Sequence, residues 1–204
     1  MNTFKLKDNS LAVCKAIVSS NPQISYFEII SHQVGLNWRQ IYKKDKEKLE
    51  HLNSAFTHEQ PHTRVRYNRE DFKNLSLENL QKTKANLVWS FTSRVFCKDG
   101  KYRHIPMMNF HSETASINNI VTAIQCVCGD KPGAILNSGR YFHYYGNFLL
   151  DQNAWIKFMA SFLMPCILVS PRYIGHRLSD GYCSLRLTAE KRYKPITPTV
   201  VYIF

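Results

Sequence analysis

The chain has 204 residues, of which 44% are hydrophobic and 21% are charged, a mixture typical of a folded globular domain rather than of a disordered segment. No apolar run approaches the roughly eighteen residues of a membrane-spanning helix, and the first ten residues do not have the pattern of a secretory signal. Lysine and arginine number 27 against 15 aspartate and glutamate residues, a net charge of +12 that favours a polyanionic partner, nucleic acid or nucleotide.

The first 85 residues are predicted to form a helical segment. Asn9 or Ser10 can cap a helix over residues 11 to 19, which Asn21-Pro22 would end. Further along, Ser25-Tyr26-Phe27-Glu28 has the spacing of a capping box, in which a hydroxyl and a carboxylate three residues apart satisfy each other's backbone. This pattern predicts a second helix that starts there.

That second helix is predicted to end near Gly35, and Asn37 can cap a third one. The two helices around Gly35 have the proportions of a helix-turn-helix, whose second helix lies in the major groove of DNA. Its first residues would offer side chains suited to base edges or phosphates, namely Asn37, Arg39, Gln40 and Lys43. An ordinary helical hairpin with a solvated basic face is the alternative.

Residues 58 to 62 match the H-E-x-x-H pattern of zinc proteases. That chemistry needs both histidines on one helical turn. Pro61 lies inside this turn, lacks a backbone N–H group and disfavours a helical conformation at Gln60. We therefore interpret the segment as a polar loop.

The remainder, residues 86 to 204, is predicted to be a second domain of the α+β class, in which antiparallel hairpins alternate with crossing helices. The Asp99-Gly100 pair suits the tight turn of the first hairpin. The predicted strands cover residues 87–97, 102–110, 133–137, 141–145, 167–169, 184–188 and 199–202, and the predicted helices cover residues 114–127 and 149–163 with Trp155, Ile156, Met159 and Phe162 inward.

Polar residues stand at the ends of two predicted strands. Asn109 and His111 are two apart on one strand and therefore share a face. About thirty residues later, the next hairpin presents Ser138, Arg140 and His143 at its turn. The last part of the chain adds further arginines and lysines.

This order of motifs, over roughly residues 86 to 200, resembles the archaeo-eukaryotic primase superfamily, including small primase-polymerase relatives of bacterial mobile elements and defence loci. Members carry a strand ending in D-x-D, then an S-x-H or SG-x-x-H motif, then a hydrophobic run ending in Asp. Asn109 and His111 occupy the two positions of the first motif, Ser138 and His143 match the second, and Ser170 stands near the third. The resemblance implies an RRM-type antiparallel sheet.

Phosphoryl transfer in such proteins uses divalent ions held by carboxylates. Asn109 is neutral, His111 is a softer ligand than magnesium prefers, and Ser170 is a poor substitute for Asp. Glu113 is the one acidic residue close to these positions in the sequence. The pattern favours a degenerate, non-catalytic site with no metal and no cofactor, whereas a residual nucleotidyltransferase or nuclease would require magnesium or manganese.

The groups that such folds use to hold phosphate are present. The candidate nucleotide- and phosphate-binding residues are Ser138, Arg140, His143, Arg172, His176, Arg177, Arg186 and Lys194, with Lys191 and Arg192 nearby. The candidates for stacking on bases are Tyr141, Tyr144, Tyr145 and Tyr173. A second alternative, a relaxase-like nuclease, would place His111 and His143 together beside a nucleophilic Tyr144 or Tyr145.

These observations predict a non-catalytic subunit that binds nucleic acid, DNA or RNA, or nucleotide. The resemblance implies that it acts with other protein subunits in an antiphage defence or mobile-element assembly. The six cysteines, without a zinc-ribbon spacing, are expected to be reduced thiols of a cytoplasmic protein that does not enter a membrane. The remaining alternative is a structural partner protein whose basic faces are buried against an acidic protein.

Overall fold

The computed structural model describes residues 4–33, 56, 60–82, 87–111, 116–165, 167–192 and 194–204. In chain order, the elements are α1 (Ser10–Ser20), β1 (Ile24–Gln33), β2 (Thr63–Asn68), α2 (Arg69–Lys73), α3 (Leu77–Gln81), β3 (Leu87–Cys97), β4 (Tyr102–His104), β5 (Met107–His111), α4 (Ile117–Cys128), β6 (Gly133–Asn137), β7 (Tyr141–Gly146), α5 (Gln152–Ser161), α6 (Pro171–Asp180), β8 (Ser184–Arg186) and β9 (Thr199–Ile203). The strands form two antiparallel sheets, so the predicted α+β class is confirmed.

The first sheet has the strand order β2-β1-β3-β4, and β8 pairs with β3 beside this path. One of its faces is packed beneath α2, where Phe72 contacts the rings of Phe27 and Phe91 at 4.7 and 5.8 Å between centroids. Phe27, Phe72 and Phe91 are all at most 1% exposed. This aromatic cluster anchors the sheet to the helices of the first part of the chain.

Strand β1 overturns the helix that we predicted from the capping-box pattern at Ser25 and Glu28. Residues 24 to 30 read Ile-Ser-Tyr-Phe-Glu-Ile-Ile, and this run of aromatic and β-branched side chains suits a half-buried strand better than a helix. Strands from both sides of residue 85 share the first sheet, so the first 85 residues are not an all-helical segment. Helix α1 agrees with its prediction, and Asn9 caps it by accepting a hydrogen bond from the backbone N–H of Ala12.

The predicted helix-turn-helix is therefore wrong in its first helix. The rest of it lies outside the described residues, as do its candidate contacts Asn37, Arg39, Gln40 and Lys43. Glu113 and the first two residues of the H-E-x-x-H pattern also lie outside the described residues. Of the rest of that pattern, Pro61 stands outside any helix, and the backbone N–H of His62 donates a hydrogen bond to the carbonyl oxygen of Ser31.

The second sheet has the order β5-β7-β6-β9. Phe110 and Tyr144 lie on the face that α5 covers. The ring centroids are 5.3 Å apart for Phe110 and Phe162, and 6.5 Å apart for Tyr144 and Phe158. The opposite face carries Asn109 and His143, which are direct cross-strand partners. This face turns toward the first sheet, since β5 contacts β8.

Two predicted strands are corrected by the structure. The predicted return strand 102–110 is divided into β4 and β5, which belong to different sheets, because Pro106 lacks the N–H group that a continuous ladder needs. Residues 167 to 169 form bends rather than a strand, and a single backbone bond joins His111 N–H to the carbonyl of Leu168.

The inward face of α5 also differs from the prediction at one position. Trp155, Met159 and Phe162 are buried as expected, whereas Ile156 is 42% exposed and Phe158 takes its place in the core. Trp155 stacks on the imidazole of His104 at 4.3 Å. Within the described ranges, no helix has the length and apolar character that crossing a membrane requires.

Candidate functional site

Two adjacent strands of the second sheet place polar side chains on one face. Asn109 and His111 of β5 lie directly opposite His143 and Tyr141 of β7. Side chains on directly opposite residues of an antiparallel pair lie on the same face of the sheet, about 5 Å apart at Cβ. The two motifs separated by thirty residues in the sequence are therefore neighbours in space.

This face borders two adjoining cavities, which together we call the cleft. The turn cavity, of about 350 Å³, lies at the β6–β7 turn, and the helix cavity, of about 300 Å³, lies against α6. Asn109 and Tyr141 line both cavities. The turn cavity is bordered by β3 and β8 of the first sheet as well, through Ser90 and Arg186 among others, so the cleft lies between the two sheets.

The structure brings the predicted phosphate-binding residues together around the cleft. The turn cavity is lined by Ser138, Arg140, His143, Arg186 and Lys194. The helix cavity is lined by Arg172, His176 and Arg177, and by the motif positions His111 and Ser170. Lys191 and Arg192 are exposed on the segment before Lys194 and line neither cavity.

The β6–β7 turn is held by Ser138. Its hydroxyl and its backbone N–H both donate to the carbonyl oxygen of Tyr141, at 2.8 and 2.9 Å. Gly139 follows with a φ of 94°, a conformation that favours glycine, and its N–H donates to Asn137 Oδ1. Ser138 therefore fixes the shape of the turn that carries Arg140. Because its hydroxyl proton is already bonded to Tyr141, its side chain can only accept a hydrogen bond from a ligand.

His143 is 5% exposed, and burial followed by the nearby charges of Arg186 and Lys194 lowers its pKa to about 3. The imidazole is therefore neutral near pH 7. Within the described part of the chain, neither its Nδ1 nor the Oδ1 of Asn109 has a hydrogen-bond partner. Two buried polar atoms on paired residues thus border the cleft unsatisfied, an arrangement typical of a site that is completed by a ligand or by water.

Arg186 closes the inner wall of the turn cavity. It is 9% exposed and donates to the backbone carbonyls of Thr188, Ile196 and Ser138 at 2.7, 2.6 and 2.9 Å. Burial lowers its pKa to about 10, which leaves the guanidinium charged near pH 7. Its hydrogen bonds hold the turn and the segment after β8 in place, and its charge makes the turn cavity positive.

Helix α6, which the sequence interpretation missed, forms the wall of the helix cavity. Ser170 stands at its N-cap and not at a strand end, and Pro171 occupies its first turn. Arg172 donates to His176 over 3.2 Å. Arg177 is engaged internally with Ser184 at 3.0 Å and with Asp180 at 3.3 Å. The Ser-Pro pair is a helix-start signal that the basic composition of the stretch obscured.

Two predicted stacking residues do not reach the cleft. Tyr144 and Tyr145 are fully buried, and burial raises the pKa of both phenols. Tyr144 lies on the face that α5 covers, and Tyr145 lies on the face of His143 but is fully buried, so neither phenol lines the cleft as the relaxase-like alternative expected. Tyr141 and Tyr173 line the cleft as predicted.

The lining of the cleft does not fit a pair of divalent ions. Among the described residues that line the two cavities, none carries a carboxylate. Across the described ranges, no three histidine, cysteine, aspartate or glutamate side chains are grouped as metal ligands would be. Asn109 Oδ1 and the imidazole of His111 are the potential ligands at the first motif, and they bring no negative charge to balance such ions.

A sequence model of the archaeo-eukaryotic primase 1D-like family matches residues 69–199. Comparison with curated proteins and with solved structures found no match. The matched range starts at α2, ends in β9 and includes every residue of the cleft named above. It covers well over half of the chain, and the fold is the α+β arrangement that the resemblance implied. The chain therefore belongs to the archaeo-eukaryotic primase 1D-like family.

Proposed function

We propose that the cleft binds the phosphate groups of a nucleotide or of a nucleic-acid strand without transferring them. The observation on which this rests is the composition of the lining that the structure describes, which contains no carboxylate and contains the basic side chains of Arg140, Arg172, Arg177, Arg186 and Lys194. A cavity of about 350 Å³ lies within the usual range for small-molecule sites. Such a lining attracts a polyanion and leaves metal ions weakly held.

Each part of the lining has a distinct role in this proposal. Arg140 lies exposed at the tip of the β6–β7 turn, and Lys194 stands with its ammonium 5.6 Å from the ring centre of Tyr141. Both can donate charge-assisted hydrogen bonds to phosphate oxygens. The neutral His143 and Asn109 would bond to a sugar or base, and Tyr141 offers a ring between the two cavities.

The same residues argue against a catalytic role. A two-metal reaction needs carboxylates that clamp the attacking and leaving oxygens, and Asn109, His111 and Ser170 stand where the family motif would supply them. The proposal therefore describes a binding subunit. By family resemblance, it would act with other proteins of an antiphage defence or mobile-element system in the cytoplasm.

The first prediction concerns binding in the cleft. Replacing Arg140 and Lys194 by alanine together should weaken the binding of ATP by tenfold or more, because each lost charge-assisted bond is worth about 1.5 kcal/mol or more. A second variant, Arg140→Ala with His143→Ala, removes two side chains at the β6–β7 turn and carries the same expectation. Isothermal titration calorimetry measures the affinity directly.

A matched control removes the same charge elsewhere. Lys101 and Lys157 are exposed and line neither cavity, so the double alanine variant at these positions should bind ATP as the wild type does. Equal losses in both double variants would mean that only the net charge matters, and the cleft assignment would fail. An unchanged affinity in the cleft variants would also overturn it.

Primer synthesis with magnesium or manganese separates the alternatives. The proposal expects no nucleotide incorporation by the wild type. Incorporation in manganese that His111→Ala abolishes would instead establish a residual nucleotidyltransferase. The absence of both ATP and nucleic-acid binding, with tight association to an acidic protein, would establish the structural-partner alternative.

A further inference from the structure

A second surface, whose residues line neither cavity of the cleft, combines aromatic rings with arginines. It lies on the face of the first sheet opposite to Phe72. Direct cross-strand pairing puts Tyr26 of β1, Phe96 of β3 and Tyr102 of β4 side by side on this face. We call it the aromatic–arginine face, defined by Tyr26, Arg64, Arg66, Arg94, Phe96 and Tyr102.

The rings and guanidinium groups of this face form a continuous series. Tyr26 stacks on Phe96 at 4.7 Å, and Phe96 meets Tyr102 edge-on at 5.0 Å. The hydroxyls of Tyr26 and Tyr102 lie 3.2 Å apart. Three neighbouring strands therefore hold a row of rings in fixed positions, with Tyr102 49% exposed at its end.

Arginines lie over both ends of this row. The guanidinium carbon of Arg66 is 4.3 Å from the ring centre of Tyr26, and that of Arg94 is 5.2 Å from the ring centre of Tyr102. Arg64 continues the series onto Tyr182, over whose ring it lies at 5.0 Å. Glu28 pairs with Arg64 at 2.8 Å, so the three arginines outnumber the acidic residue and the face remains positive.

We propose that the aromatic–arginine face binds single-stranded nucleic acid by base stacking. Aromatic rings and guanidinium planes both stack on bases, and arginines also neutralise the phosphates between them. In a duplex, the faces of the bases are hidden in the helical stack, so a single strand is the form of nucleic acid that offers them. The proposal concerns a site separate from the cleft and goes beyond the function proposed there.

The chemistry of this face favours a single strand of nucleic acid over other polyanions. An acidic peptide or a phosphate ion would pair with the arginines but would leave the row of rings without a role. Rings that pack beneath the planar guanidinium groups also hold them in a fixed orientation, which suits stacking rather than diffuse charge attraction. DNA and RNA share this chemistry, and the experiment compares both.

The test measures the binding of single-stranded oligonucleotides of about twelve nucleotides by fluorescence anisotropy. Tyr102→Leu should weaken binding by about fivefold or more, because it removes an exposed stacking ring. Tyr102→Phe should retain it, since the ring remains and both variants lose the same hydroxyl bond to Tyr26. Tyr202→Leu, on β9 of the second sheet, is the control for losing a tyrosine elsewhere.

The same assay with an abasic oligonucleotide of equal length isolates the bases. It keeps every phosphate, so stacking predicts binding about fivefold weaker than that of oligo(dT) or oligo(U). Equal affinity for the abasic strand, or an unchanged affinity of Tyr102→Leu, would overturn the proposal. The difference between oligo(dU) and oligo(U), which carry the same base, states which sugar the face prefers.

Photo-crosslinking with iodouracil-substituted strands locates the contact. Crosslinks to Tyr102 or Tyr26 are expected, and crosslinks confined to Tyr141 or Tyr173 would contradict the proposal. The affinity for ATP distinguishes this proposal from the one for the cleft, because the Tyr102→Leu variant should bind ATP as the wild type does. If the test refutes strand binding at the aromatic–arginine face, the proposed phosphate binding in the cleft is unaffected. The converse also holds.

Discussion

His143 shows how the three-dimensional surroundings set the protonation state of one residue. Burial of the ring, followed by the nearby charges of Arg186 and Lys194, disfavours the protonated form and lowers the pKa of His143. Its neutral ring can accept or donate a single hydrogen bond in the cleft. The motif position was predictable from the sequence, but the protonation state was not, since it depends on burial and on Arg186 and Lys194, which lie more than forty residues later.

A pH dependence of stability follows from the two buried histidines. In the folded protein, the pKa of His143 is lowered to about 3 and that of His104 to about 4, both by burial first. The unfolded chain binds protons at these residues near pH 6.5. As the pH falls below this value, the unfolded state binds protons at these histidines and the folded state does not. The free energy of unfolding should therefore fall by about 1.4 kcal/mol per pH unit for each histidine.

Urea unfolding between about pH 7 and pH 5 measures this slope, and His143→Gln should reduce it by about half. NMR titration of the wild type supplies an independent reading of the imidazole. A resonance of His143 that titrates near pH 6.5 would show that the ring is not held neutral.

Arg186 illustrates at the scale of elements what the sequence alone conceals. It was predicted as a phosphate ligand from its place in a basic stretch, and it does line the turn cavity. Its guanidinium also joins β8, the segment before β9 and the β6–β7 turn through three backbone carbonyls. Its partners Ser138 and Ile196 lie 48 and 10 residues away in the sequence, so no local sequence pattern predicts these hydrogen bonds.

Arg186→Ala is therefore expected to be strongly destabilising. The substitution removes hydrogen bonds to three carbonyl groups in a buried place, and leaving such groups unpaired costs about 1–3 kcal/mol each. We expect the free energy of unfolding to fall by about 3 kcal/mol or more in chemical denaturation. Arg192→Ala, at an exposed position, should change it by less than about 0.5 kcal/mol.

If Arg186→Ala unfolded with the same midpoint as Arg192→Ala, the three hydrogen bonds would not hold the turn and the segment before β9 together. The Arg186→Lys variant is a useful comparison with Arg186→Ala. A lysine can retain the charge and one or two of the bonds, so its stability should lie between those of the alanine variant and the wild type.

The elements of the second sheet were more predictable than those of the first. The β6–β7 hairpin and the helix over residues 117–128 followed from alternation and from helical spacing, because these elements are local and amphipathic. Strand β1 was misread because the capping-box pattern is short and the strand's partners, β2 and β3, lie more than thirty residues away. Long-range pairing decided that conformation, and local signals at Ser25 and Glu28 did not.

At the scale of the whole molecule, the two sheets face each other across the cleft, and the aromatic–arginine face lies on the first sheet. The family motif positions converge at the cleft, so its location was predictable from the resemblance. The aromatic–arginine face was not, because Tyr26, Arg66, Phe96 and Tyr102 come from strands whose pairing had been assigned to a helix and to a single hairpin. It emerges only once β1 and β2 join β3 and β4.

The central claim is that the cleft holds phosphate through cations and hydrogen-bond donors and not through carboxylate-bound metal ions. Calorimetric titration with ATP, in magnesium and in EDTA, tests it most directly. The account predicts that ATP binds in EDTA at least as tightly as in magnesium, whereas Asn109→Asp with His111→Asp makes binding depend on the metal. Binding by the wild-type protein that is lost in EDTA and restored by magnesium would contradict the account.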